Sequence, residues 1–301
     1  MSDAVLTPGG SAPVDIDVAR AGTRGRLSAL LHNRSGLLGV VLVAIPIVLV
    51  ALHLTGLTPF DASAQDPPAR LQGPSPDHLF GTDQFGRDLF SRVAGGVANS
   101  AIIAVTAVAL AAVVGTLAGL VAGFYRGGAD TVISGGANIL FAFPPLLLAL
   151  SLAAVLDRSR FAVSIAIAVV YVPIFARVIR GPVLSLREVE FVTAATATGQ
   201  RRPAVMLRHV LPNVAPIVIV QVTLSLSWAV LTEAALSYLG LGAPPPAPAL
   251  GSMIFEARTL MYRAPSTMIF PGVALVLVVV SLNLLGDGLR DTLDPRERGR
   301  Q

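Results

Sequence analysis

The chain has 301 residues, of which 53% are hydrophobic and 13% charged, and it carries a net charge of +4. An ordinary soluble domain is about one-quarter charged, so a soluble enzyme is not expected. All 22 basic residues are arginine and cysteine is absent, which excludes from this chain a GxxxxGK[ST] phosphate loop, a lysine Schiff base, thiolate metal ligands and disulfides.

Residues 1–35 are polar and rich in Gly, Ala, Ser and Pro, and predict a flexible tail ahead of an uncleaved first span. A bilayer core of about 30 Å needs about 20 apolar residues in helix. Six segments meet or approach that length: Gly36 to Thr55, Asn99 to Gly123, Asn138 to Leu156, Phe161 to Ile179, Asn213 to Leu239, and Ser266 to Leu285. The expected class is therefore an all-α integral membrane protein with six transmembrane helices. The divisions are a tail at 1–35, a first helix at 36–55, an extracytoplasmic loop at 56–98, a core at 99–286 and a cytoplasmic tail at 287–301. With mean hydropathy +0.72, the basic balance bears on membrane side, and a nucleic-acid partner is not expected. If both termini are cytoplasmic, inner segments hold 15 of the 22 arginines. The loop at 56–97 has three arginines against five aspartates, and the loop from Arg177 to Pro212 has six arginines against Glu188 and Glu190.

The second span repeats small residues every fourth position, at Ala107, Ala111, Gly115, Gly119 and Gly123. Such a stripe lets another helix backbone approach closely, within the bundle or between subunits. After the fifth span, Gly242 to Pro248 is too proline-rich for helix. Leu250, Met253, Ile254, Ala257 and Met261 then recur at helical spacing and predict a short amphipathic helix at the outer interface. The histidines His32, His53, His78 and His209 are scattered, so no metal set is expected, and His209 is read as pairing locally.

The stretch between the fourth and fifth spans reads as structured. Ser185 followed by Glu188 is a capping-box pattern, Gly199 stands where a helix would end, and Pro203 follows as a stop. A helix from about Leu186 to Thr198 is predicted, with Val189 and Val192 on one side together with Ala194, Ala195 and Ala197. It is too short and too polar to span. Its pattern alone fits either an ordinary surface helix or one packed into a partner's groove.

This stretch resembles the cytoplasmic coupling loop of permease subunits of ATP-binding-cassette importers, in particular the "C" subunit of the dipeptide, oligopeptide and nickel permease family. Arg180-Gly, Leu184-Ser-Leu-Arg-Glu188, Phe191-Val192, Ala194-Ala195, Gly199 and Arg208-His209-Val-Leu-Pro212-Asn213 carry the resemblance. Further matches lie at His78 to Arg92, Phe143-Pro144, Glu233 to Gly242 and Asn283 to Arg296. Departures are Thr193 in place of the family's glutamate, Thr196 and Thr198 in place of arginine and leucine, and Leu250 in place of tryptophan. Ala98, Gly135 and Asn138 replace arginine, arginine and aspartate, the last two removing one charge of each sign. The resemblance implies the type I importer permease fold and a coupling loop at 180–212 that contacts ATPases through Glu188, Glu190, Phe191, Val192, Ala194, Ala195, Gly199, His209 and Pro212. It also implies a "B"-type second permease subunit, two ATPase subunits that bind ATP and Mg, and an extracytoplasmic substrate-binding protein. No cofactor or catalytic residue is expected in this chain.

For the translocation path, Gln221, Ser225, Trp228 and Thr232 fall on one strip of the fifth span, with Glu233 about a third of a turn away. The strip would line a path or make helix-to-helix hydrogen bonds. An ionisable group inside a span is costly, so Glu233 is either a functional residue or half of a structural pair near the outer interface. The expected function is half of a peptide translocation path. An ion-coupled carrier working alone would call for repeats and several intramembrane charges, and a scaffold without transport is the third possibility.

Overall fold

A computed structural model describes residues 34–157 and 159–293. Of the tail predicted at 1–35, residues 1–33 lie outside the described residues, while 34 and 35 begin the first helix; His32, residues 294–301, Arg158, Arg20, Arg24, Arg26, Arg296, Arg298 and Arg300 also lie outside them.

The elements run in order α1 (Arg34–Leu54), α2 (Leu89–Tyr125), α3 (Gly127–Phe141), α4 (Pro145–Val155) and α5 (Arg160–Leu186). They continue with α6 (Glu190–Ala197), α7 (Arg202–Val205), a π-helical turn at Met206–Val210, α8 (Leu211–Tyr238), α9 (Leu250–Ala257) and α10 (Ser266–Leu293). Among the described residues no strand forms; Thr82 and Asp88 make one isolated bridge. Five helices are long and apolar enough to cross a membrane, and the α3–α4 pair makes a sixth candidate bent by 90°.

That bend corrects the continuous span expected from Asn138 to Leu156. Asn138 belongs to α3, and the chain breaks between Phe141 and Pro145. Pro144 and Pro145 have no N–H to give to the preceding turn, and each disfavours helix in the residue before it.

The second span starts ten residues earlier than predicted, which shortens the outer loop to end at Asp88. The Asp88 carboxylate accepts from Ser91 N–H at 2.8 Å and caps the new start. Leu89, Val93 and Val97 are almost fully buried there. Arg92, counted with the outer loop from sequence, lies within α2 and is buried beside Asp83.

Close packing on α5 accounts for the small-residue stripe. A Cβ on Gly115 would lie 2.5 Å from Val172 O and from Phe175 Cβ, and one on Gly119 would lie 2.6 Å from Ala176 O. One on Gly123 would lie 2.8 Å from Val183 Cβ. The stripe therefore serves contact within the chain. The larger core gathers around this crossing, with Ile103, Ala107, Ala111, Ile167, Phe175, Ala229 and Leu236 buried. A second core sits at the other end, where Leu120, Ile179, Val183, Val192, Val205, Val210 and Val214 meet.

The segment before α2 is an ordered cap. Arg87 Nε donates to Asp83 Oδ2 at 2.6 Å, Arg92 Nε lies 3.3 Å from the same oxygen, and Arg92 Nη1 donates to Ala62 O at 3.2 Å. His78 Nδ1 is 2.9 Å from Asp88 Oδ1. Arg87 Nη2 reaches Glu256 Oε2 at 3.4 Å and joins this cap to α9. The helix α9 forms but ends at Ala257, short of Met261, and its apolar side faces protein. Leu250, Met253 and Ala257 are buried, and Gly251 lies so close to Ala234 O on α8 that no side chain fits. Burial of Leu250 and Ala98 gives those two departures from the family pattern a packing role.

Candidate functional site

Local folding between α5 and α8 differs from the capping-box prediction. Ser185 lies in the last turn of α5, which runs on to Leu186 because Val183 is fully buried against Gly123. Burial of this kind overrides a local capping preference. Glu188 instead faces Arg126 and Arg187, each at 3.3 Å. The predicted helix from Leu186 to Thr198 is thus shortened to α6, Glu190–Ala197, with Val189 as an N-cap that has no side-chain bond. Gly199 follows with φ of +80°, in the left-handed region that glycine tolerates. Pro203 does not stop a helix; it sits in the first turn of α7, where its missing N–H costs nothing.

The α6 helix has two faces. Val192 and Ala195 are buried in the second core, and each fully buried valine contributes roughly 1.5 kcal/mol or more. Thus one of the two valines expected to face a partner is turned inward, and Val189 is exposed. The outward face presents Glu190, Phe191 and Ala194, with Phe191 41% exposed. His209 Nε2 lies 3.3 Å from Gln200 Oε1, the local pairing expected of it. The π-helical turn that contains His209 is followed by Pro212, which has no N–H to return to the carbonyl four residues back. Asn213 Nδ2 donates to His209 O at 2.6 Å across this turn. Behind α6 a cavity of about 500 Å³ is lined by Phe124, Tyr125, Arg187, Thr196 and Arg202.

Along α8 the predicted strip is only partly one surface. Gln221 Nε2 donates to the Ser225 hydroxyl at 3.1 Å, but Ser225 is buried. Trp228 is 62% exposed, and Thr232 donates to Trp228 O at 2.9 Å while standing 3.4 Å from the Tyr171 hydroxyl. Glu233 points away from that strip into protein and is 0% exposed. Ser100 of α2 donates to its Oε2, while Oε1 and both polar atoms of the Asn99 side chain are buried without a hydrogen bond among the described residues.

Sequence reasoning missed the polar contacts of α3 with α5. Arg180 grips Asp130 and Arg177 reaches Asn138, so the family departure at Asn138 retains a polar contact. The available signal was two arginines three residues apart at the end of a span.

Residues 115–299 match the family described as binding-protein-dependent transport system inner membrane component. The chain is 42% identical to a dipeptide transport system permease protein of Alkalihalophilus pseudofirmus over 289 residues, 96% of this chain and 95% of that one. The chain belongs to this permease family. A glutathione transport system permease protein of Pectobacterium atrosepticum is 39% identical over 87% of the permease described here and 86% of its own length. Among solved structures, a chain of the inward-facing MetNI methionine ABC transporter matches with a TM-score of 0.52 and 20% identity. It covers 65% of this permease and 94% of its own length, and shows the same type I importer permease fold. The chain is accordingly a multi-pass membrane protein of a binding-protein-dependent transport system.

Proposed function

We propose that this permease forms half of a translocation path for di- or oligopeptides in an ATP-binding-cassette importer. The other half is a second, "B"-type permease subunit. Two ATPase subunits bind ATP and Mg and supply the energy, and an extracytoplasmic binding protein delivers the peptide. Both termini lie in the cytoplasm, in keeping with the excess of arginine in that set of loops. The chain itself catalyses no reaction and holds no cofactor. The peptide assignment is supported by relatives named as dipeptide and glutathione permeases across nearly their whole length.

The observation that carries the coupling assignment is the division of α6. A helix of eight residues cannot be stable by itself; buried Val192 and Ala195 hold it to the bundle, while Phe191 and Ala194 face outward. An exposed aromatic beside small residues is suited to a groove on an ATPase, with Glu188, Glu190, Gly199, His209 and Pro212 bordering the contact. ATP binding then selects between two arrangements of the bundle by its differential affinity for them. Gln221, Trp228 and Thr232 line the path in this reading, whereas Ser225 is buried and Glu233 ties α8 to Ser100 of α2.

The test is the pair Phe191→Ala and Ala194→Arg in the full chain co-expressed with its ATPase subunits. Recovery of ATPase with the tagged permease falls about tenfold, the scale of a lost interface anchor, while the permease keeps its melting temperature. Undiminished co-purification overturns the assignment.

A further inference from the structure

None of the residues of α3 is buried, so apolar packing is not what holds this helix to its neighbours. Polar contacts hold it to α5 at both ends. Near its start, Arg180 Nε donates to Asp130 Oδ1 and Arg180 Nη2 to Asp130 Oδ2, both at 2.6 Å. Ser134 Oγ donates to the same Oδ1 at 2.9 Å and fixes the plane of the carboxylate. Near its end, Arg177 Nη2 donates to Asn138 Oδ1 at 2.9 Å, and the Arg177 guanidinium lies 3.9 Å from the centre of the Phe141 ring. Arg177 and Arg180 are three residues apart and share one face of α5. Between the two contacts a cavity of about 220 Å³, lined by Ile133, Ala137 and Ala176 among others, shows how little apolar packing joins the helices.

The same stretch of α5 leads directly to α6. Arg187, just past its end, donates from Nη1 to Phe124 O at 2.9 Å, and Glu188 faces Arg126 at 3.3 Å. The corner between α2 and α3 is thereby tied to the residues that enter α6. At its far end α3 turns by 90° into α4, which packs on α5 and α8. A two-pronged guanidinium–carboxylate pair resists both sliding and rotation because its fork geometry is rigid.

We propose that the Asp130–Arg180 clasp makes the bent pair α3–α4 move as one body with α5 and α6, so that Asp130 and Arg180 are positioning residues for transport. The proposal rests on the reading of α6 as the ATPase dock, since a body that moves with α6 matters only if α6 is pushed. Asp130→Asn replaces the two-pronged ion pair by a single guanidinium–amide hydrogen bond and frees the bent pair to lag behind.

The chain has no cysteine, so an introduced pair supplies its only two labelling positions. In the complex with its ATPase subunits in nanodiscs, spin labels at Ser151→Cys on α4 and Ala197→Cys on α6 are measured by pulsed EPR, with and without ATP and vanadate. The distance distribution is narrow in both states. Asp130→Asn widens it about twofold, because one prong and the ion pair are lost, and the charge swap D130R/R180D narrows it again. Uptake of radiolabelled dialanine per ATP hydrolysed falls about tenfold in Asp130→Asn, the size of an ordinary coupling free energy. A static brace would lower the melting temperature and leave the width unchanged, and an unchanged width overturns the proposal. If the ATPase subunits do not co-purify, the dock reading has failed; the width in the full permease chain alone still decides the clasp.

Discussion

At one end of the bundle Asp83, Asp88 and Arg92 are 7%, 3% and 3% exposed, and their partners come from the same chain. At the other end Glu188, Glu190, Arg201 and Arg202 are exposed, and Phe191 stands among them with no side chain packed over it to bury it. The first arrangement makes a rigid cap whose charges are used up internally. The second leaves charge and an aromatic ring on an element held by one face. A permease subunit needs both, because a fixed frame must be pushed through a surface that remains free to dock. The contrast supports the proposal that a partner acts on the 190–212 stretch rather than on the cap, because a partner could reach it without first breaking an existing contact.

The largest expected effect comes from Asp83→Ala. It leaves Arg92 buried without its carboxylate, which costs about 3–5 kcal/mol and is read as a loss of monodisperse protein and a lowered melting temperature in detergent. Glu190→Ala, at the exposed end, changes stability by less than about 0.5 kcal/mol. Equal melting temperatures for the two variants would break the contrast. Next in size is Gly119→Val, which presses a side chain against Ala176 O and costs about 1–3 kcal/mol. Gly135→Ala, where nothing lies within 4 Å of a Cβ, serves as the control and leaves the melting temperature within error.

The smallest effect concerns the exposed rim of the cap. The Ser63 hydroxyl and the Ser63 N–H each donate to Asp61 Oδ1 at 2.7 Å and hold its carboxyl below the usual value of 3.8. A depressed folded value means that this contribution is complete above the ordinary pKa and is lost as the pH falls through the folded one, below about pH 4. Ser63→Ala moves the Asp61 titration back up toward 3.8, as followed by carboxyl NMR; an unmoved midpoint shows that the hydroxyl does not hold the group.

The spans, the small-residue stripe and the divided loop were legible because each is a local pattern. Twenty apolar residues satisfy their own backbone in helix whatever surrounds them, and Gly199 marks a helix end from its own φ preference. Arg92 was assigned to the outer loop for the opposite reason. A charge in sequence argues for solvent, and only the nearby Asp83 makes its burial affordable. Ser185 and Glu188 have the composition of a cap, but Val183 packs on Gly123 and carries α5 past Ser185, while Glu188 pairs with Arg126. For Glu233 the sequence left open a functional residue or half of a structural pair, because its hydrogen-bond partner Ser100 lies 133 residues away.

Sequence by itself determined an all-helical membrane permease, its family and the absence of lysine and cysteine chemistry. Hydrophobic length and residue type act one segment at a time and need no knowledge of neighbours. Tertiary structure alone decided the inward turn of Val192 and Glu233 and the clasp between Asp130 and Arg180. These depend on how closely and at what angle helices cross. That is set by a few glycines whose effect is felt 50 or more residues away in sequence.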